Sequence, residues 1–226
     1  AFVVGVSGGI DSAVVSTLCA KTELPTYVLT MPLHSKEDNT ELSDLHAYQL
    51  VEKYSNVTLV NVDLSDTYDV FMTRVDDTFC RSDLANANTK SRLRMVTLYQ
   101  IAGSVGGIVV GTGNKVEDYG VGFFTKYGDG GVDIAPIADI YKTQVWELGR
   151  HLGVDERIIN ATPTDGLWED GRTDEGQLGA SYEQLEEAME HGTGPALDIL
   201  EEFNTKNKHK MEPIPTFKLE KHYANS

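Results

Sequence analysis

The sequence predicts an α/β protein in which a doubly wound parallel sheet carries helices on both faces. Four short apolar segments, residues 2–6, 27–30, 58–62 and 108–110, have the length and composition of buried strands. Segments with helical periodicity separate them, and strands that alternate with helices form parallel sheets. The 226 residues, 40% of them hydrophobic, suffice for one such domain with a complete core.

The predicted helices follow from the spacing of apolar residues between and after these strands. They cover residues 12–20, 40–53, 87–102, 142–152, 181–189 and 196–206. Gly-rich loops are expected over 111–131. A polar loop with Pro163, Gly166, Gly171 and Gly176 is expected up to residue 180, either as a lid or as an ordinary surface loop.

Composition narrows the class of protein. The net charge of −16 argues against nucleic acid and anionic membranes as partners, because both require a basic surface. No apolar run approaches the ~18 residues of a transmembrane helix. Cys19 and Cys80 form neither a disulfide framework nor a metal spacing, which fits the cytoplasm, and Cys19 is expected in the core. We expect a single domain over residues 1–226, with the native N-terminus missing, because the chain starts inside a strand.

The turn that joins the first strand to the first helix is the most informative segment. It reads Ser-Gly-Gly-Ile-Asp-Ser at residues 7–12. Its glycines let the backbone approach a phosphate, and the N–H groups of the first helical turn favour anions. Ser7 and Ser12 add hydroxyl groups. Asp11 would repel a phosphate unless a cation lies between them, which predicts a bridging Mg²⁺.

Two common phosphate-binding loops do not fit this turn. The P-loop has Lys at the place of Asp11, and the dinucleotide motif GxGxxG is absent here. The turn resembles SGGxDS, the pyrophosphate-binding loop of the ATP pyrophosphatase (PP-loop) superfamily. Those enzymes split ATP between its α- and β-phosphates. The alternative is an ordinary strand–helix turn with Ser as N-cap.

A basic segment at residues 88–95 is the next candidate. It places Lys90, Arg92 and Arg94 on alternate positions, so that on a helix Lys90 and Arg94 share a face and Arg92 points elsewhere. A solvated basic face is the ordinary explanation. In a chain of net charge −16, a local cluster of cations also fits a site for an anionic ligand.

Two glycine-rich segments add further candidates. In GTGNKVE at residues 111–117, Glu117 is expected at the sheet edge that carries Asp11, either as a second metal carboxylate or as an ordinary helix-start Glu. FFTKYGDGGVD at residues 123–133 combines aromatic rings that could stack on a flat ligand with Lys, Asp and Gly. A β-turn loop is the alternative for the second segment.

Taken together, these segments resemble the ammonia-dependent NAD synthetases. The motifs occur in the family's order and span nearly the whole chain: SGGIDS, NTKSRLRM, GTGNKVE, FFTKYGDGGVD, PTDGL and KHK. FFTKYGDGG is the most specific of them. The resemblance implies a Rossmann-like fold of the adenine nucleotide alpha hydrolase type. No glutamine-hydrolysing domain is fused within these 226 residues.

The resemblance also implies a reaction, the ATP-dependent amidation of deamido-NAD (nicotinic acid adenine dinucleotide). ATP adenylates the nicotinate carboxylate and releases pyrophosphate, and ammonia then displaces AMP to give NAD. Asp11, Glu117 and Lys142 are the catalytic candidates, with Asp11 and Glu117 as ligands of Mg²⁺. The spacing after Glu117 is one residue longer than in the family, which leaves Asp118 as the alternative ligand.

Binding residues are carried over by the same resemblance. Positions similar to those that hold ATP are Gly5, Val6, Ser7, Gly8, Gly9, Ile10, Asp11, Ser12, Thr112, Lys142 and Thr164. Positions similar to those that contact deamido-NAD are Arg92, Lys126, Asp133, His209 and Lys210. Without the resemblance, Lys142 would be a surface lysine at a helix start and His209 a tail residue. Relatives form homodimers through a segment that includes the absent N-terminal helix, so a homodimer is expected.

Three other functions compete with this interpretation. Another PP-loop enzyme that amidates or modifies tRNA is disfavoured by the acidic charge and by FFTKYGDGG. A sensor that holds ATP without turnover would need neither a second carboxylate nor a ring-binding loop. A catalytically inactive subunit is disfavoured because the motifs are intact.

Overall fold

The computed structural model describes residues 1–35, 37–75, 82–164, 166–168 and 172–218, with the side chains of 37–39 left out. Cys80 and Asp165 therefore lie outside the described residues. Within them, one parallel sheet has the strand order β3-β2-β1-β4. Its strands are β1 Phe2–Gly5, β2 Thr26–Thr30, β3 Val57–Asn61 and β4 Ile108–Val109.

Helices connect and follow these strands. The first four are α1 Ile10–Lys21, α2 Glu37–Lys53, α3 Ser65–Arg74 and α4 Asp83–Val105. A π-helix, Lys115–Val121, follows β4. The remaining helices are α5 Lys142–Leu152, α6 Glu156–Ile159, α7 Asp174–Leu178, α8 Tyr182–His191 and α9 Leu197–Met211.

The central strand β1 shows how the sheet is covered on both sides. Successive strand side chains point to opposite faces. Val4 belongs to a core formed with α1, α2, α5 and α6, whereas Val3 belongs to a core formed with α4 and the start of α3. The prediction of a doubly wound parallel α/β fold is therefore confirmed.

A third core lies beside the sheet, where the π-helix packs against α7, α8 and α9. Side-chain amides of α9 donate to carbonyl oxygens of the opposite segment: Asn204 Nδ2 to Gly120 O at 3.1 Å and Asn207 Nδ2 to Val121 O at 2.8 Å. These bonds satisfy carbonyls at the end of the π-helix, which would otherwise lack partners. The segment that carries the 123–133 motif is thus held from one side by α9.

The predicted elements and the observed ones agree where apolar residues face a core. All four strands and all six predicted helices are confirmed, with ends that differ by a few residues. The expectation of loops throughout 111–131 is wrong, because the π-helix occupies part of that range. The expectation that 163–180 is irregular is also wrong at its end, where α7 forms on the Thr173 N-cap. Helices α3 and α6 lie in segments for which the sequence analysis predicts no element.

Two expectations from composition are also tested by the fold. Cys19, a residue of α1, is buried in the core as predicted. None of the helices in the described part of the chain has both the length and the apolar composition needed to cross a bilayer.

A buried histidine links α1 and α2. His46 Nε2 lies 2.9 Å from Ser16 Oγ, and His46 Nδ1 has no hydrogen-bond partner among the described residues. Burial lowers the pKa of His46 to about 4, because a charged imidazole would be poorly solvated there. The native state therefore takes up a proton at lower pH than the unfolded state does.

This difference predicts a loss of stability in acid. The unfolded state binds the proton below about pH 6.5, so the contribution of His46 is complete above that pH and falls as the pH approaches 4. Between pH 7 and pH 4.5, the wild-type free energy of unfolding should drop by about 2 kcal/mol more than that of His46→Gln. Urea unfolding at both pH values measures this. His191→Gln, at an exposed helix end, should behave as wild type; equal slopes for all three proteins would contradict the assignment.

Candidate active site

The Ser-Gly-Gly turn forms a folded loop at the carboxyl end of β1. Gly8 has φ +89°, a left-handed conformation that favours glycine. The Ser7 N–H donates to Ser12 Oγ at 3.1 Å, and Ser12 Oγ donates to Gly9 O at 2.9 Å. Gly9 is the N-cap of α1 and offers no side chain to the first-turn N–H groups. The first turn of α1 therefore presents uncapped backbone donors at the positive end of a helix, an arrangement typical of phosphate sites.

A buried lysine joins the two predicted carboxylates at this edge. Lys142 Nζ lies 2.5 Å from Asp11 Oδ2 and 2.9 Å from Glu117 Oε1. Lys142 is 2% exposed, so it is not the surface lysine that its position at a helix start would suggest. The structure thus brings Asp11, Glu117 and Lys142 together from three elements that are far apart in the sequence.

Local packing explains how those three elements meet. Asn114 Oδ1 accepts from the N–H groups of Val116 and Glu117 at 3.0 Å, which caps the π-helix, and Asn114 Nδ2 donates to Asp11 Oδ1 at 3.1 Å. One side chain therefore fixes the start of the π-helix against α1. On the other side, α5 approaches α1 so closely that a Cβ on Gly149 would lie 2.6 Å from Ile10 Cδ1.

The three charged groups shift one another's pKa values. Burial raises the pKa of Asp11, and the Glu117 carboxylate adds to this, although Lys142 opposes both. Burial acts in the same direction on Glu117, but the Lys142 ammonium and a hydrogen bond from Tyr182 together hold the pKa of Glu117 below its ordinary value. Burial disfavours the Lys142 ammonium, yet the two carboxylates outweigh it and raise the pKa of Lys142. Lys142 is therefore a permanent cation that neutralises part of the carboxylate charge.

Tyr182 belongs to this centre and was missed by the sequence analysis. Its hydroxyl donates to Glu117 Oε1 at 2.6 Å, and its ring centroid lies 5.1 Å from Lys142 Nζ. Burial and the nearby Glu117 charge raise the pKa of the Tyr182 phenol, so it stays a hydrogen-bond donor. No signal in the sequence marks this tyrosine, because it follows an ordinary Ser N-cap in a segment whose helical period explains it as a core residue.

Asp118, the alternative ligand, occupies a different position. Its carboxylate lies over Gly113, where even a Cβ would collide with it. Burial, together with the charges of Asp129, Glu117 and Asp11, raises the pKa of Asp118 well above its ordinary value. The Lys210 ammonium opposes part of this shift. Glu117, in contrast, shares the Lys142 ammonium with Asp11.

Four of the predicted dinucleotide residues form a second cluster around the 123–127 segment. The Arg92 guanidinium donates to Lys126 O at 3.3 Å, and Lys126 Nζ donates to His209 O at 2.6 Å. Lys210 Nζ donates to Phe124 O at 2.8 Å. The helix α4, the loop and α9 thus converge here, although the sequence suggests only a tail position for His209 and Lys210.

The remaining predicted residues lie apart from these clusters or at their edge. The Asp133 carboxylate accepts from the Val109 N–H at 2.7 Å and from Tyr99 OH at 3.0 Å, so it stabilises β4. Thr164 Oγ1 donates to Arg172 O at 3.2 Å and accepts from the Gly166 N–H. Thr112 is half-buried just after β4. In the described part of the chain, the hydrogen bonds of Thr164 and Asp133 do not reach Asp11, Glu117 or Lys142.

Asp11 and Glu117 are the oxygen donors available for a divalent cation at this centre. Among the described side chains, no group of three or more His, Cys, Asp or Glu residues is arranged around a common metal position. Asp11 and Glu117 nevertheless contact the same ammonium, so their oxygens already converge on one cation. Two carboxylate oxygens completed by phosphate oxygens and water suit Mg²⁺, which rarely takes all its ligands from protein.

Comparisons with known proteins decide the family. Residues 1–222 match the family model described as NAD synthase. The chain belongs to the NAD synthase family. An NH(3)-dependent NAD(+) synthetase from Carboxydothermus hydrogenoformans is 39% identical over 212 residues, which cover 92% of this chain and 84% of that relative. An NH(3)-dependent NAD(+) synthetase from Methanococcoides burtonii is 41% identical over 188 residues, which cover 83% and 70% of the two chains.

Solved structures of the NAD synthase fold agree with this assignment. The structure of NMN synthetase from Francisella tularensis superposes with a TM-score of 0.86 at 33% identity and covers 96% of this chain and 89% of its own. The NH3-dependent NAD synthetase from Campylobacter jejuni, in complex with the nitrate ion, gives a TM-score of 0.74 at 26% identity with the same coverage. The prediction of an NAD synthetase relative is confirmed.

Proposed function

We propose that the protein is an ammonia-dependent NAD synthetase that uses ATP to amidate deamido-NAD. The observation that carries the proposal is the Lys142 ammonium held between Asp11 and Glu117 beside the Ser-Gly-Gly turn. The nicotinate oxygen would attack the α-phosphorus of ATP and release pyrophosphate. Ammonia would then attack the activated carbonyl carbon, and AMP would leave with the bonding electron pair. The products are NAD, AMP and pyrophosphate.

The residues of the chain contribute position and charge to this reaction. The uncapped N–H groups at the start of α1 and the hydroxyls of Ser7 and Ser12 would hold the phosphates. Lys142, fixed by two carboxylates, would offer a cation to the α-phosphate, where negative charge increases as the new bond forms. None of these steps needs a covalent enzyme intermediate, so catalysis rests on orientation and electrostatics.

Asp11 and Glu117 are the residues that would hold Mg²⁺. The bound metal would supply positive charge to the ATP phosphates. Glu117 suits this role better than Asp118, because Glu117 faces the same cation as Asp11. Asp118 makes no such contact with Lys142 among the described ion pairs.

The second cluster supports an anionic substrate next to this centre. Arg92, Lys126 and Lys210 all donate to backbone carbonyl oxygens. Within the described residues, none of the three has a carboxylate partner within ion-pair distance. Asp118 and Asp129 act on the Lys210 charge from beyond ion-pair distance, whereas Arg92 and Lys126 have only carbonyl oxygens as described hydrogen-bond partners. In a protein of net charge −16, such a group of cations favours a ligand that carries phosphate or carboxylate groups.

Lys126 should contribute to the binding of the dinucleotide rather than of ATP. Lys126→Ala should raise KM for deamido-NAD about tenfold or more, because one charge-assisted contact is lost, and should change KM for ATP less than threefold. Steady-state kinetics with each substrate varied in turn measure both values. Lys208→Ala, which removes an exposed α9 lysine paired with Glu212 just after the helix, should leave both unchanged. Equal increases in the two KM values would contradict the assignment.

A mononucleotide is the second candidate substrate. The structure that superposes with a TM-score of 0.86 is an NMN synthetase, so the corresponding amidation of the nicotinic acid mononucleotide fits the same fold. The chemistry at the carboxylate would be identical, and only the distal adenylate would be absent. Comparing kcat/KM for the two substrates under the same conditions decides between them.

An end-point assay tests the proposal as a whole. The protein is incubated with ATP, Mg²⁺, deamido-NAD and ammonium, each omitted in turn, and NAD, AMP and pyrophosphate are measured. Equal amounts of the three products, only in the complete mixture, are expected. AMP and pyrophosphate without NAD would mean that the acceptor is another molecule, and absence of ATP cleavage would refute the proposal.

A homodimer is part of the same proposal. Exposed apolar side chains lie on α3 and α4: Val70, Phe71, Leu84, Val96 and Tyr99. Exposed apolar surface larger than scattered single residues is typical of protein interfaces, and these five side chains are the candidates for such a surface. Light scattering should give the mass of two chains, and the mass of one chain would refute the dimer.

A cytoplasmic location, where ATP is available, also belongs to the proposal.

A further inference from the structure

Tyr182 belongs to the third core and contacts both the metal carboxylate candidate Glu117 and the catalytic lysine candidate Lys142. It is fully buried, its hydroxyl donates to Glu117 Oε1 at 2.6 Å, and its ring lies over Lys142 Nζ. A phenylalanine would fill the same apolar space. The buried hydroxyl is therefore explained by its acceptor, since a polar group costs free energy to bury without one.

The hydroxyl has a single proton and two nearby acceptors. Asp174 Oδ2 lies 3.5 Å away, at the outer limit of a hydrogen bond, whereas Glu117 Oε1 is at 2.6 Å. The proton therefore points at Glu117, in a short bond to a charged acceptor. Lys142 Nζ donates to the same Oε1, so donors from α5 and α8 fix one oxygen from two directions.

The backbone at Tyr182 is held in place by hydrogen bonds from α7 and α8. Ser181 caps α8 by accepting from the Gln184 N–H at 3.3 Å, and the Tyr182 N–H donates to Glu175 Oε1 of α7 at 3.0 Å. The indole of Trp146 meets the Tyr182 ring edge to face, with centroids 5.8 Å apart. The ring is therefore held at both ends and cannot rotate away from Lys142 without breaking the core.

We propose that Tyr182 is a positioning residue of the synthetase reaction, which fixes Glu117 through its hydroxyl and encloses the Lys142 ammonium with its ring. The role of Tyr182 in the reaction rests on the proposed function, whereas its contacts with Glu117 and Lys142 do not depend on it. Groups that orient a metal-binding carboxylate change metal affinity about 10- to 100-fold when they are removed. Removal of the hydroxyl alone should therefore weaken binding of the divalent cation and leave the dinucleotide site intact.

Tyr182→Phe tests the proposal, with Tyr119→Phe as the control, because Tyr119 is exposed on the π-helix. Mn²⁺ binding in the presence of a non-hydrolysable ATP analogue is measured by electron paramagnetic resonance. The Mn²⁺ Kd of Tyr182→Phe should rise about tenfold, and that of Tyr119→Phe should not change. In the kinetic assay, the half-saturating Mg²⁺ concentration should rise similarly, while KM for deamido-NAD stays within about twofold.

Two outcomes separate this inference from the proposed function. Wild-type Mn²⁺ affinity and Mg²⁺ dependence in Tyr182→Phe, with only a lower melting temperature, would show a purely structural tyrosine and overturn the inference. If the wild-type protein makes no NAD, the proposed function fails, but the Mn²⁺ comparison still decides the role of Tyr182. Weaker Mn²⁺ binding with an unchanged melting curve supports it in either case.

Discussion

Replacing Asp11 by asparagine is expected to lower the rate of AMP formation at least about a thousandfold, or about 4 kcal/mol of transition-state stabilisation. Asp11 is one of only two carboxylates that share the Lys142 ammonium in the described centre, so the change removes half of the charge available to a divalent cation. Asparagine has nearly the same volume and keeps an oxygen for the Asn114 amide.

The fold should survive this substitution. Burial and the neighbouring Glu117 carboxylate already raise the pKa of Asp11, so its charge is not needed to stabilise the native state. Single-turnover measurement of AMP, together with a melting curve, separates the two effects. Asp139→Asn, which removes a carboxylate that is 94% exposed, is the control and should retain full activity. An Asp11→Asn protein with more than about a tenth of the wild-type rate would contradict the metal assignment.

Replacing Lys142 by methionine should abolish turnover and also destabilise the protein. Methionine keeps the length of the side chain but leaves Asp11 and Glu117, each 16% exposed, facing each other without a cation. Breaking a buried ion pair on one side typically costs about 3 kcal/mol, which corresponds to a fall in melting temperature of roughly 6–12 °C for a chain of this size.

Magnesium should partly reverse the loss of stability in Lys142→Met. The two unpaired carboxylates would bind the cation more tightly than they do beside the ammonium, so millimolar Mg²⁺ should raise the melting temperature of the variant more than that of the wild type. Differential scanning calorimetry with and without Mg²⁺ measures this. Lys115→Met, at a surface ion pair with Asp139, should show neither effect. Wild-type stability of Lys142→Met in the absence of Mg²⁺ would refute the assigned role.

The sequence predicts most of the fold because periodicity reports on burial. Strand β1 and helix α1 show their periods clearly, since their apolar residues face a core. Helix α3 does not, because none of its described residues is buried and Val70 and Phe71 point outward. The π-helix is invisible for another reason: its period is rare, and Gly120 and Gly122 make the segment resemble a loop.

The sequence likewise predicts only part of the candidate site. Asp11 and Glu117 could be placed on one sheet edge from topology alone, because parallel strands end at the same edge. The contact of Lys142 with both carboxylates needs the close approach of α5 to α1 at Gly149, which no local pattern encodes. Tyr182 reaches the centre from the third core, whose assembly depends on contacts between distant segments.

The bonds from α9 to the 120–127 segment also bear on how the protein is made. Lys210 lies 86 residues after Phe124, whose carbonyl it holds, and Asn207 lies 86 residues after Val121. At about 5–20 residues per second, the ribosome needs on the order of ten seconds to synthesise the intervening chain. During that interval the nascent chain has its sheet strands but lacks the groups that hold this segment. The cluster of Arg92, Lys126, His209 and Lys210 can therefore form only after α9 has been synthesised.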